Sequence, residues 1–346
     1  MKKVQFRWIA LLLAGFLLST VGLLQANAKK AAKTTKTTTS SNDLSALLPP
    51  LSAKHQRVLF ASKGDPPKIQ ISHHFKSNEN RHDLFKPYIK GIRGAHLGVA
   101  SDQNYTIMAW AKSEFGWVID FDAVIQYIHL SHRAFALAAP TGKEFLTYWG
   151  DGKKGLAKLK DTYIDHKEKK TIFKYYKRYR KGMTKYLSGY FKPANLWRKT
   201  WLATPEHYRY IRKMFQENRI RILYGNLYGT SAMRGIGAAA KKAGLTIRSV
   251  YLSNAEEWVG YNHNFRQNFI SLPFDKKTVL LRTMWRKEFQ PRSSDFWQYN
   301  VHNGLHYQNF MKTRHKGYRW IGSFNRMMRP SPKWGLTLTG FPFRRF

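Results

Sequence analysis

From Gly91 onward, short apolar runs alternate with longer stretches whose apolar positions recur every three to four residues. Ala95 to Ala100 reads as a short strand, and Tyr105 to Glu114 as a helix with Ile107, Met108 and Ala111 to one side. Phe115 to Phe121 (FGWVIDF) is a second strand, and Ala123 to Ala139 a second helix carrying Val124, Ile125, Ile128, Leu130, Phe135 and Leu137. The rhythm returns after Thr204-Pro205-Glu206, an N-cap followed by proline in the first turn. His207 to Asn218 predicts a helix, Arg219 to Leu227 (RIRILYGNL) a strand, and Ser231 to Ala243 a helix closed by Gly244. Leu245 to Leu252 is a further strand, Phe265 to Phe274 a further piece, and Thr278 to Met284 the last strand; Trp297 to Arg314 reads as helical. Strands apolar on both faces, alternating with helices, predict an α/β fold: a mostly parallel sheet in three layers over residues 91–315.

One segment breaks the rhythm. Asp151 to Thr200 holds sixteen Lys/Arg against four Asp/Glu, with tyrosines between them (KYYKRYRKGMTKYLSGY). Ile172, Tyr176, Tyr179, Met183, Leu187 and Tyr190 share one helical face. That spacing predicts a basic helical insert, 151–200, with the tyrosines as its buried stripe and its lysines left to attract anions. Residues 44–90 read as an irregular N-terminal arm containing His73, His74 and His82, taken as packing or surface residues because no carboxylate or cysteine is spaced for a metal. Residues 316–346, including Arg326, Arg329, Arg344 and Arg345, read as an irregular basic tail.

The N-terminus changes the setting. Lys2, Lys3 and Arg7 precede an apolar run from Trp8 to Leu24, and Ala26-Asn27-Ala28 has the small-residue form of a cleavage site. Residues 1–28 thus predict a secretory leader cleaved near Ala28, which leaves no transmembrane span in the mature chain and points to the periplasm or cell surface. A Lys/Thr-rich tether, 29–43, follows with almost nothing to bury. The chain has no cysteine, which excludes disulfide stapling and thiol chemistry. Its net charge is +40, and losing the leader's three cations leaves +37. Such a field favours an acidic glycan, anionic lipid or nucleic acid as partner, of which nucleic acid is the least favoured.

Polar residues gather where the strands end. Ser101, Asp102 and Asn104 follow the first strand; Asp120 and Asp122 the second; Gly225, Asn226 and Gly229 the third; Ser253, Asn254, Glu256 and Glu257 the fourth. In an open parallel sheet ligands bind at those carboxyl ends, which predicts a pocket between the four turns. Arg282, ending the last strand, is expected to meet an anionic ligand group. A divalent cation held by Asp102, Asp120 and Glu256 is a further expectation, since oxygen donors suit magnesium or calcium.

The segments GVASDQNYT, WVIDFDAVI, ILYGNLYG, VYLSNAEEW with Tyr261, and SLPFDKKTVLLRT resemble a family of uncharacterised bacterial proteins, often exported. That family's core is similar to the Rossmann-like fold of S-adenosylmethionine-dependent methyltransferases. The resemblance implies a cofactor beside Gly98 and an acid, Asp120 or Asp122, at the ribose. The sequence departs from that pattern where Ser101-Asp102-Gln103 replaces the glycine-rich loop. Asp120-Phe121-Asp122-Ala123-Val124 also fits the strand end of haloacid-dehalogenase-like phosphohydrolases, with Asp120 as nucleophile and Asp122 as acid/base. The expectations are therefore a methyltransferase-like binding protein or enzyme, a cationic envelope binder, or a phosphohydrolase.

Overall fold

The computed structural model describes residues 48–70, 75–285, 296–313, 321–331, 333 and 335–342. The leader, the tether, His73, His74, Arg344 and Arg345 lie outside these. Eight strands form one sheet: β1 (Ala95–Val99), β2 (Phe115–Asp120), β3 (Ile220–Tyr224), β4 (Ile247–Ser253), β5 (Val279–Met284), β6 (Gln298–Asn303), β7 (Met328–Pro330) and β8 (Leu336–Thr339). Their order is β3-β2-β1-β4-β5-β6-β8-β7. The first five are mutually parallel, β6 runs antiparallel to β5, β8 is parallel to β6, and β7 is antiparallel to β8.

The central strands are buried on both faces because apolar side chains alternate between two cores. Leu97, Trp117, Val250 and Leu280 face one core, with α1 (Ala53–Phe60), α9 (Ala232–Lys242), α10 (His263–Ile270) and α11 (Gly304–Lys312) packed there. Tyr251, Leu281 and Val301 face the other, with α2 (Lys86–Ile89) and α3 (Gln103–Ala111). At ~25 cal/mol per Å² of apolar surface removed from water, this double burial is the main stabilising term.

Between β2 and β3 the chain makes α4 (Ala123–Ala138), α5 (Gly142–Gly150), α6 (Gly152–Thr162), α7 (Lys169–Ser188) and α8 (Pro205–Gln216). The helical interruption thus starts at Gly142, where Thr141 caps α5 by accepting from the Glu144 N–H at 3.2 Å. Ile172, Tyr176, Tyr179, Met183 and Leu187 of α7 are buried, so the tyrosine stripe belongs to the packing. Among the described residues no helix is long and apolar enough to cross a membrane.

Three expectations are corrected. Residues 297–314 are not one helix, since 298–303 form β6 before α11 begins. In QYNVHN the buried apolar residues are Tyr299 and Val301, and the alternate polar ones bond across to the neighbouring strand: Gln298 Nε2 donates to Thr337 Oγ1 at 2.7 Å, though its Oε1 has no partner, and Asn300 donates to Thr339 Oγ1 at 3.0 Å. β5 is not the last strand, and the described part of the tail is not wholly irregular, because the alternating Leu336–Thr339 (LTLT) extends the sheet through β6. The arm is ordered where it meets the core: Leu59 of α1 and Phe85 are fully buried.

Asp65 explains part of that order. It is 7% exposed, and its carboxylate accepts from the N–H groups of Ser231 at 3.0 Å, Ala232 at 3.3 Å and Asn226 at 2.9 Å. Ser231 makes no side-chain cap itself, so the arm supplies the cap of α9 from a distance of more than 160 residues. Asp65→Ala is expected to cost about 2 kcal/mol, through lost capping and stranded donors. An unchanged urea midpoint would show that α9 does not depend on this cap.

Candidate functional site

Parallel pairing of β1 to β5 brings the carboxyl ends of these strands to one edge of the sheet. The chain reverses direction across the sheet between β1 and β4, where the order leaves β1 for β2 on one side and β4 for β5 on the other. Two non-glycine residues with left-handed backbones mark that point: Ala100 after β1 (φ 65°) and Ser253 at the end of β4 (φ 50°). Such conformations cost of order 1 kcal/mol or more and persist only where surroundings hold them. Ala100 is held by the Asp120 carboxylate, which accepts from its N–H at 3.1 Å, and by His129 Nε2, 2.8 Å from its carbonyl.

A cavity of about 40 Å³ opens beside this point. Its walls come from three places: Ser77, Glu79 and His82 of the arm, Gln103 and Thr106 of α3, and Tyr186, Tyr190 and Arg198 of the insert. Glu79 organises it. One carboxylate oxygen accepts from Ser253 Oγ and Thr283 Oγ1, both at 2.6 Å; the other lies 2.7 Å from His82 Nε2 and accepts from Tyr251 OH. Burial pushes the Glu79 carboxyl up, but the hydrogen bonds and charge of His82 with the two hydroxyls outweigh it, leaving Glu79 below its ordinary value and ionised.

Behind the opposite wall, Asp102 is fully buried. Its Oδ2 accepts from Trp201 Nε1 at 2.9 Å and Tyr190 OH at 3.0 Å, and Tyr190 is 2.5 Å from Tyr186 OH. Burial raises the Asp102 carboxyl despite these donors. Tyr190 joins Asp102 to the cavity, so Glu79, held below its ordinary value, and Asp102, held above its own, are two carboxyls whose surroundings drive them apart. Gln103 is 4% exposed, lines the cavity, and leaves Oε1 without a partner; Arg198 Nε lines it in the same state. An acceptor and a donor thus stand unpaired at the same space.

The residues singled out from sequence share the edge but not the cavity. Asn104 bonds His96 Nε2 at 2.9 Å and the carbonyls of Val99 and Ser101, fixing the β1–α3 turn. A Cβ on Gly98 would lie 1.7 Å from Asn104 Oδ1, so that glycine makes room for the amide and not for a phosphate. Asp120 accepts from the Ala100 and Asp122 N–H groups, and Asp122 caps α4 through Val124 N. Asn226 is exposed and turns its oxygen to the Tyr228 N–H; Asn254 is half-buried. Ser101 is buried with Oγ unpartnered, and Ser253 is the one that reaches the cavity's carboxylate, Glu79.

Glu256 and Arg282 correct two expectations. Both are fully buried and form a 2.9 Å ion pair. Tyr261 and Tyr307 donate to Glu256 at 2.6 and 2.8 Å, while Arg282 donates to Asn300 at 2.9 Å and to His302 Nδ1. Arg282 therefore meets an internal anion, not a ligand. Asp102, Asp120 and Glu256 each serve a different network, and no group of three His, Cys, Asp or Glu among the described residues is arranged to hold a metal ion.

Sequence reasoning missed Glu79, Gln103, Tyr186 and Arg198. Gln103 lay in view, beside Asp102 in the turn. Glu79 had one signal, its spacing of three from His82 in a basic chain with only 20 acids.

A family profile described as a domain of unknown function (DUF7790) matches residues 74–333, a span that holds every residue of the cavity and of the Glu256–Arg282 network. No curated protein matches the chain.

Proposed function

We propose that this chain, which belongs to the DUF7790 domain family, is a Rossmann-like protein whose β1/β4 crevice takes a small polar ligand, with Glu79 and His82 as its acid–base pair. The strand order β3-β2-β1-β4-β5, all parallel, supports the Rossmann-like reading, and the cavity stands at the switch point where such sheets take ligands. The observation that carries the proposal is the unpaired Gln103 Oε1 and Arg198 Nε in a cavity that also holds the Glu79–His82 pair. A buried polar atom left unsatisfied costs roughly 1–3 kcal/mol, which an occupant of the cavity relieves.

Size decides the ligand class. About 40 Å³ admits roughly three waters or one molecule the size of acetate or urea. Sites for drug-sized ligands start near ~300 Å³. An adenosyl cofactor therefore fits only if the arm and both tyrosines withdraw. The glycine-loop position is filled by the Asn104–His96 bond, and the acid ending β2 is engaged by backbone N–H groups. The reading is of a methyltransferase-like scaffold put to a different, smaller ligand. Asp120 and Asp122, buried and bonded to backbone N–H groups, give the phosphohydrolase reading no supporting observation.

Saturation-transfer NMR with acetate, glycolate, urea, glycerol and inorganic phosphate tests this. At least one should bind, and Gln103→Leu should abolish that binding while circular dichroism stays native. S-adenosylmethionine at millimolar concentration should leave the melting temperature unchanged. No binder in the panel, or a melting shift with S-adenosylmethionine, overturns the proposal.

A further inference from the structure

The outward face of α7 is a cationic ridge. Lys170, Lys174, Lys177, Arg178, Lys181 and Lys185 are all exposed. At 3.6 residues per turn they fall within an arc of roughly 100°, opposite the buried Ile172, Tyr176, Tyr179 and Met183, along about 22 Å of helix. Among the described residues none of the six pairs with a carboxylate. The acid nearest in sequence, Glu168, is engaged by Tyr127 and Tyr224. Six like charges on one short ridge repel one another, and an opposing anionic surface removes that repulsion.

We infer that this ridge docks the protein on an anionic bilayer surface. Charge complementarity gives the sign of the partner. Two observations favour lipid headgroups over a polynucleotide. Tyr175, Tyr176 and Tyr179 of α7 are buried and Tyr186 is not among the ridge residues, so the face offers no stacking platform for bases, and five of its six cations are lysines, point charges without the forked donors that read base edges. The segments on either side of the helix also expose apolar side chains, Ile164 (63%) before it and Leu196 (48%) and Trp197 (49%) after it, the residue types that settle at a headgroup boundary.

Co-sedimentation of the full chain with vesicles of phosphatidylcholine, alone or with phosphatidylglycerol, tests the inference. Binding should require phosphatidylglycerol and disappear in high salt. Each cation near such a surface is worth about fivefold in partitioning. The ridge variant Lys174→Glu/Lys177→Glu/Arg178→Glu/Lys181→Glu should therefore bind at least a hundredfold more weakly. A control with the same charge change elsewhere, Lys241→Glu/Lys242→Glu/Lys276→Glu/Lys277→Glu, should lose less than tenfold. Circular dichroism confirms that both fold. Equal loss in the two variants, no loss in the ridge variant, or ridge-dependent binding to duplex DNA that vesicles fail to displace overturns it.

Discussion

Lowering the pH from 7 to 5 is expected to remove several kcal/mol of folding stability. Four histidines, His96, His129, His132 and His302, are fully buried. Burial is the first cause of a lowered pKa in each: it takes His96 and His129 from 6.5 to about 4 and leaves His132 and His302 well below their ordinary value. Their bonding suits the neutral ring. His129 lies 2.5 Å from Tyr105 OH through Nδ1 and 2.8 Å from the Ala100 carbonyl through Nε2; His302 accepts from Arg282 at Nδ1 and reaches His306 through Nε2 at 2.8 Å.

The unfolded chain takes up these protons near pH 6.5, whereas the folded protein resists until about pH 4 or lower. Stability is thus fully present above 6.5 and is lost as the pH falls through that window. Each histidine contributes a slope of about 1.4 kcal/mol per pH unit, so four approach ~5 kcal/mol per unit at the steepest. Glu79 adds nothing between pH 7 and 5, because its lowered pKa places its loss below 4.5. Asp102 opposes the trend, since a raised carboxyl pKa favours the folded state at low pH, but it is one group against four. Urea midpoints at pH 7, 6 and 5 measure the slope, and high salt in every sample screens surface repulsion. A flat profile would mean that these rings are charged in the folded protein.

Arg282→Met is expected to destabilise the protein by about 3–5 kcal/mol, because it leaves the Glu256 carboxylate buried without its cation. Tyr261 and Tyr307 still donate to Glu256, so the carboxylate keeps hydrogen bonds and loses its countercharge. Asn300 and His302 lose their shared donor in the same step. The double variant Arg282→Met/Glu256→Gln should recover much of the loss, since no lone charge remains, and a double-mutant cycle isolates the pair. A single-variant effect under ~1 kcal/mol would mean that the network reorganises freely.

The cavity and this ion pair show two uses of polar residues at strand ends. Ser253 and Arg282 face each other across β4 and β5 in the register, yet one helps to hold a cavity carboxylate and the other completes a closed network. From sequence they look alike: a polar residue where an apolar strand stops. What separates them is which distant segment arrives. Glu79, 174 residues before Ser253, meets the first. Glu256, from the next turn, and β6 meet the second.

Apolar periodicity along this chain is sufficient to set the alternation of β1 to β5 with their helices, because burying both faces of a strand leaves a local pattern that no distant residue is needed to complete. The same holds for α7, whose stripe of tyrosines and ridge of lysines follow from helical spacing. The strand QYNVHN escaped because its polar side chains are buried and hydrogen-bond to Thr337, Thr339 and Arg282 across neighbouring strands, so its burial has no apolar signature. The site is further from reach still. Charge on a buried group depends on partners supplied by other segments, and whether a carboxylate caps a helix, pairs with an arginine or faces a cavity is decided only when the arm and the insert close over the sheet edge.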